Sequence, residues 1–259
     1  MDANFLGVPD TDAIIFFSFV AFAFFTAFVG VVTAAAGGLM MMVGLASVFP
    51  ITAAIPIHTV VQMGGNVSRV VILWRYVLKG TLVPFIIGAA IGAATGAQIF
   101  VSLPTAILQG FLGVFVIVLT WMPAFTRVGA QGGRFSLLGF AATFLGIFVS
   151  ATGTLIAPFV AGVSPDRRIH VATFSTIMVI VHSMKLIAFG FLGVALVDYL
   201  PLMLAMIAAA TLANWVGAKV LHRMKEGHFR LIFKICVTLL SLRLVWLAAR
   251  DAGLLEGLS

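Results

Sequence analysis

Charged side chains are scarce: Asp, Glu, Lys and Arg together fill 9% of the 259 positions. A soluble domain carries about a quarter, so a fold that shows a charged surface to water is excluded. Acidic groups are the scarcest, at Asp2, Asp10, Asp12, Asp166, Asp198, Glu226, Asp251 and Glu256. All lie at a terminus or between apolar runs, which leaves no carboxylate for a membrane interior. A cation site or an acidic proton relay there would normally want one. The single cysteine, Cys236, excludes an internal disulfide and a thiolate metal cluster, and no cofactor is expected. The start of the chain is acidic and lacks the basic region of a signal peptide. The apolar run that follows is too long for a cleaved signal and is expected to be retained.

What is abundant is apolar residues, 62% of the chain. They form successive runs near 13–49, 51–74, 81–103, 105–125, 135–164, 170–196, 200–221 and 229–249. The runs are continuous rather than alternating, which excludes a transmembrane barrel and predicts an all-α polytopic membrane protein. The net charge of +7 comes mostly from short loops between runs. It reads as a topology signal and not as a nucleic-acid face.

Loop charge then forces a further step. The loops around Arg75–Lys79, Arg127–Arg134, Arg167–Arg168 and Arg223–Arg230 should face the cytoplasm. Both loops flanking 135–164 are basic, so one crossing cannot join them. That segment must go in and come back, as a re-entrant hairpin or as two short helices. The run 13–49 behaves alike, since one helix of that length would reach about 55 Å across a core of about 30 Å. Gly37-Gly38 and Gly153 interrupt these two runs. Each half, 13–125 and 135–250, is then a broken element plus three crossings, and the second half is inverted relative to the first. About eight to ten membrane segments are expected in total.

Residue patterns agree with a duplication. Ala35-Ala36-Gly37-Gly38-Leu39-Met40 leads to Pro50, and Ala151-Thr152-Gly153-Thr154-Leu155-Ile156 leads to Pro165. Gly88, Gly92 and Gly96 recur as Ala209, Ala213 and Gly217, a spacing that lets helix backbones approach closely. Inverted repeats with matching interruptions point to a secondary-transporter site.

Candidate binding residues follow. His58, Gln62, Asn66 and Arg69 lie within about 80° of one another on one helix, a polar stripe that cannot face lipid. Their counterparts in the second half are Phe174, Met178, His182 and Lys185. Arg69 is close enough to the basic loop to reach headgroups instead, and His58, Gln62 and Asn66 could equally be interhelical hydrogen-bond glue. Lys185 sits well inside its run, where an isolated ammonium is expensive, and points to a substrate site. The half-helices beginning near Leu39 and Leu155 present backbone N–H groups of Gly37, Gly38 and Gly153 to an anion, with hydroxyls of Thr33, Ser150, Thr152 and Thr154 as further donors. Cationic side chains without carboxylates fix the sign of the solute: a small anion. His58 and His182 are the available proton carriers if coupling exists. An intramembrane enzyme is disfavoured, since no nucleophile-and-base signature accompanies the histidines.

A Gly-rich break, a short apolar run, a proline, a polar-striped helix and a glycine ladder occur here twice. In this the chain resembles the sulfite exporter TauE/SafE family of membrane permeases, from about residue 18 to 248. The resemblance implies export of sulfite, an organosulfonate or a related small anion across the bacterial cytoplasmic (inner) membrane. By that likeness Gly37, Gly38 and Gly153 match the family's glycine-rich breaks. His58 with Asn66 stands where small hydroxyl residues are more usual, and Thr152 and Thr154 make the second break a departure. The expected partners are a small anionic substrate and the lipid bilayer, with no nucleic acid. Both termini are expected on the non-cytoplasmic side, and a homodimer is one assembly the sequence leaves open.

Overall fold

The computed structural model describes residues 4–33, 36–121, 132–150, 152–161, 166–194, 196–220 and 226–253. Among these it is all-helical, with ten α-helices and no strand. They are α1 (Ala13–Thr33), α2 (Ala36–Ala46), α3 (Ile51–Leu73), α4 (Leu82–Ser102), α5 (Thr105–Trp121), α6 (Gly132–Val149), α7 (Gly153–Ala161), α8 (Arg167–Phe191), α9 (Leu200–Val220) and α10 (Glu226–Asp251). Arg127, Pro165, Arg223 and Lys225, on which part of the topology reading rests, lie outside the described residues, as do the Thr33 and Thr154 side chains.

Helix ends explain where the sequence reading needs adjustment. Asp12 accepts the Ile15 N–H at 2.7 Å and starts α1. Asp166 accepts the Arg168 N–H at 2.7 Å, so α8 begins three residues before the expected 170. It also stops earlier than 196, in a turn closed by Gly193 at φ 69. The half-helices likewise start at Ala36 and Gly153 instead of near Leu39 and Leu155.

Both long runs are broken as the sequence requires. α2 folds back along α1. A Cβ on Gly37 would overlap the Thr26 carbonyl and crowd Gly30, so only glycine lets the two backbones meet there. Farther on, Gly44 faces the Phe22 ring, and Phe49 packs on Phe19 with centroids 5.1 Å apart. With 11 residues α2 is about 16 Å long, and α7 with nine is about 14 Å. Neither can cross a hydrocarbon core of about 30 Å. The hairpin alternative therefore fits α1–α2, and two spanning helices do not.

The outside of the bundle is apolar as well as the core, and several polar groups are buried. Ile14, Val83, Ile87, Leu204 and Phe191 are exposed on the outside, whereas His58, Ser150, His182 and Lys185 are buried. Water would penalise that arrangement and lipid rewards it. Among the described residues, four stretches are long and apolar enough to cross a membrane: Ala13–Gly30, Lys79–Ser102, Arg168–Phe191 and Val197–Gly217. Shorter apolar stretches occupy α2, α5 and α6.

The most extensive contacts join the two halves of the chain: α4 to α6, α5 to α10, α1 to α9 and α3 to α8. Lipid offers no hydrophobic drive for helix association, so close backbone approach has to supply it. Gly88 and Gly92 do so in α4, where a Cβ would overlap the carbonyls of Ser136 and Phe140 on α6. Gly139 on α6 meets the Phe85 carbonyl in the same way. At the corresponding ladder in α9, Ala213 is fully buried.

Gly92→Ala should therefore cost about 2 kcal/mol, because backbone on α6 cannot yield to the added methyl. Gly80→Ala, with open space around it, should cost little. Thermal unfolding of the two variants in detergent checks this; equal midpoints would refute the close-packed α4–α6 seam.

Candidate functional site

The breaks in α1–α2 and α6–α7 bring loose chain ends into the middle of the bundle, against the long helices α3 and α8. The residue that ends α6 is Ser150, at φ 63, a left-handed conformation that glycine usually fills. Holding a serine there costs about 1 kcal/mol, and the side chain makes use of the position.

Its hydroxyl is a hub. Lys185 Nζ donates to Ser150 Oγ at 2.6 Å, His58 Nδ1 lies 2.9 Å from it, and Thr59 Oγ1 lies 3.1 Å from it. The far nitrogen of His58, Nε2, is 2.9 Å from the Gly38 carbonyl. A carbonyl only accepts, so Nε2 carries the hydrogen. In the neutral ring Nδ1 is then the acceptor, and the Ser150 hydroxyl donates to it. A directed chain results, from Lys185 through Ser150 and His58 to the first turn of α2. Ser150 and Lys185 are fully buried, and His58 nearly so.

In front of this chain is a cavity of about 80 Å³. A water needs roughly 10–15 Å³ on this measure, so several waters or a small oxyanion fit. Its polar wall is α3, with His58, Gln62, Asn66 and Arg69; Gly37, Gly38 and Leu39 of α2 and Gly153 of α7 complete that end. The facing wall on α8 is apolar, Phe174 and Met178, at the positions that match His58 and Gln62. No carboxylate is among the lining residues. Nor do three His, Cys, Asp or Glu side chains gather anywhere among the described residues to hold a metal ion.

The sequence-derived candidates thus separate into two groups. Nine of them, Gly37, Gly38, Leu39, His58, Gln62, Asn66, Arg69, Ser150 and Gly153, line the cavity. His182, Lys185 and Thr152 do not; they are buried behind Ser150. Thr154 is in the first turn of α7, with its side chain outside the described residues. Arg69 does not turn away to the basic loop: its Nη2 donates to Asn214 Oδ1 at 3.2 Å, and both residues line the cavity. Asn214 was missed by the sequence reading, although an asparagine inside the apolar run 200–221 is itself a signal. Thr59 was missed too, because one hydroxyl on a helix that already has a polar stripe does not stand out.

A family model described as Sulfite exporter TauE/SafE matches residues 19–244, a span that holds every cavity residue named above. No curated protein and no solved structure matches the chain.

Ser150→Ala should destabilise the protein by about 3 kcal/mol, because it removes the one partner of a buried ammonium. Ser150→Gly also removes the hydroxyl but relaxes the left-handed backbone, so it should lose less, by up to about 1 kcal/mol. Unfolding midpoints in detergent read both effects. Wild-type stability in the alanine variant would show that the hydroxyl is not a hub.

Proposed function

The chain belongs to the sulfite exporter TauE/SafE family, and from that premise we propose that it is a secondary transporter for a sulfite- or organosulfonate-like anion. The family is one of membrane permeases of the anion-exporter type, and the chain is a membrane protein. The observation that carries the finer reading is Lys185: a fully buried amino group, a charge when protonated, with one hydrogen bond among the described residues, to a neutral hydroxyl, beside a cavity lined by no carboxylate. A buried charge of that kind is costly unless something of opposite sign comes to meet it. The substrate anion is that counter-charge. The first turns of α2 and α7, with Gly37, Gly38 and Gly153 on the cavity, add the positive ends of two helix dipoles.

The transport cycle is alternating access, the two halves 13–125 and 135–250 rocking around the cavity as inverted repeats. What supports the repeats is the pattern of contacts. Exchanging the halves maps α1 on α9 to α6 on α4, and α3 on α9 to α8 on α4, while α3 with α8 and α5 with α10 map onto themselves. The protein is assigned to the bacterial cytoplasmic membrane with both termini outside the cytoplasm. A passive anion channel is the competing mechanism. Proteoliposomes distinguish them, since saturation and counterflow of labelled sulfite belong to a carrier and strict proportionality to the gradient belongs to a channel.

Lys185→Met keeps the shape and removes the charge. Sulfite or sulfonate flux should fall by at least about a hundredfold. The unfolding midpoint should hold or rise, because the desolvated charge is gone. Saturable flux at the wild-type level in that variant would overturn the anion site.

A further inference from the structure

Several buried polar atoms that are not part of the cavity lining lack partners among the described residues. Neither ring nitrogen of His182 makes a hydrogen bond, and neither does Thr152 Oγ1, though both residues are fully buried. Lys185 carries three N–H donors and uses one, on Ser150 Oγ. The orphans are neighbours. His182 precedes Lys185 by one turn of α8, and its ring centroid is 6.5 Å from that of His58. Gly146, one turn before Ser150 on α6, leaves room for a methyl group beside Lys185 and Thr152. A Cβ on Gly146 would sit 3.4 Å from Lys185 Cδ, 3.6 Å from Thr152 Cγ2 and 3.7 Å from Thr152 Oγ1. These are ordinary contact distances, so the absent methyl is space and not a backbone seam like the one at Gly92.

Buried polar groups almost always find partners, and a cluster of exceptions points to an occupant. An ammonium with spare donors, a threonine hydroxyl and an imidazole able to donate suit an anion. We propose that the transported anion takes up a second, inner position bounded by Gly146, Thr152, His182 and Lys185, reached from the cavity past the Ser150 hydroxyl. The inference rests on the transport reading above and adds a step to it. The anion first meets His58 and the first turn of α2. It then displaces Ser150 from Lys185 and moves inward as α6 and α8 part. The inner position is narrow in this conformation, one methyl wide at Gly146, as an occluded site between two open states has to be.

Gly146→Ala and Thr152→Val test it. Each is sterically mild: alanine meets no clash, and valine replaces an unsatisfied buried hydroxyl with a methyl, a change that is neutral or stabilising in a merely structural role. In proteoliposomes loaded with labelled sulfite at alkaline pH, flux should drop by about tenfold or more in each variant. Equilibrium binding of sulfite to the detergent-solubilised protein should change less than about twofold, because cavity contacts remain. The unfolding midpoint should stay level or rise. Wild-type flux in both variants overturns the inner position, leaving at most water there. Absence of saturable flux in the wild type overturns the transport reading itself, so the two failures are distinct. As a check that needs no variant, anomalous diffraction from crystals of the wild type soaked in bromide should place an ion among these four residues as well as in the cavity. A bromide peak in the cavity alone overturns the proposal.

Discussion

A lysine amino group inside a lipid-bathed bundle, met by a serine hydroxyl and, among the described residues, by no carboxylate, is the constraint around which the rest of the structure is arranged. A charge in that setting has to be solvated by something, and each nearby feature contributes to it. Ser150 leaves the helical path at a strained φ so that its oxygen reaches Nζ. His58 is held by the Gly38 carbonyl in the tautomer that accepts from Ser150. The chain ends of α2 and α7 come together in front of it. Had an aspartate stood in place of Ser150, the charge would be neutralised within the protein and the cavity would have no preference for an anion.

The wall opposite is as telling as the polar one. A matched pair of long helices would line the cavity with polar side chains from both. Instead Phe174 and Met178 face His58 and Gln62, and the second half keeps its polar residues deeper, at His182 and Lys185. The asymmetry gives the cavity a polar side and a soft apolar side.

Much of the fold was legible in the sequence because the bilayer imposes few solutions. Length, apolar runs and loop charge were enough to predict helices, and the basic loops on both sides of 135–164 required a break that α6 and α7 display. The glycine ladder at Gly88 and Gly92 announced a close seam, and the seam is with α6. The site was legible in part. Polar residues within apolar runs stand out, so His58, Gln62, Asn66, Arg69, His182 and Lys185 could be found by eye. What linear order does not contain is which side of Ser150 each would occupy. That depends on one backbone torsion, and serines in membrane helices are too common for any one to signal a hub. Asn214 is a similar case: its pairing with Arg69 spans 145 positions and is a property of packing between α3 and α9.

The seam between α4 and α6 also bears on how the molecule is made. The broadest contacts run between the two halves, and the grooves cut by Gly88 and Gly92 are filled by a helix that the ribosome has yet to produce when α4 is inserted. α1 waits still longer, for α9. During synthesis the first half must therefore dwell in the lipid with its seams open and with His58 and Arg69 still without Ser150 and Asn214. Biogenesis becomes a holding problem, in which a half-built bundle has to persist in the lipid until its complement arrives.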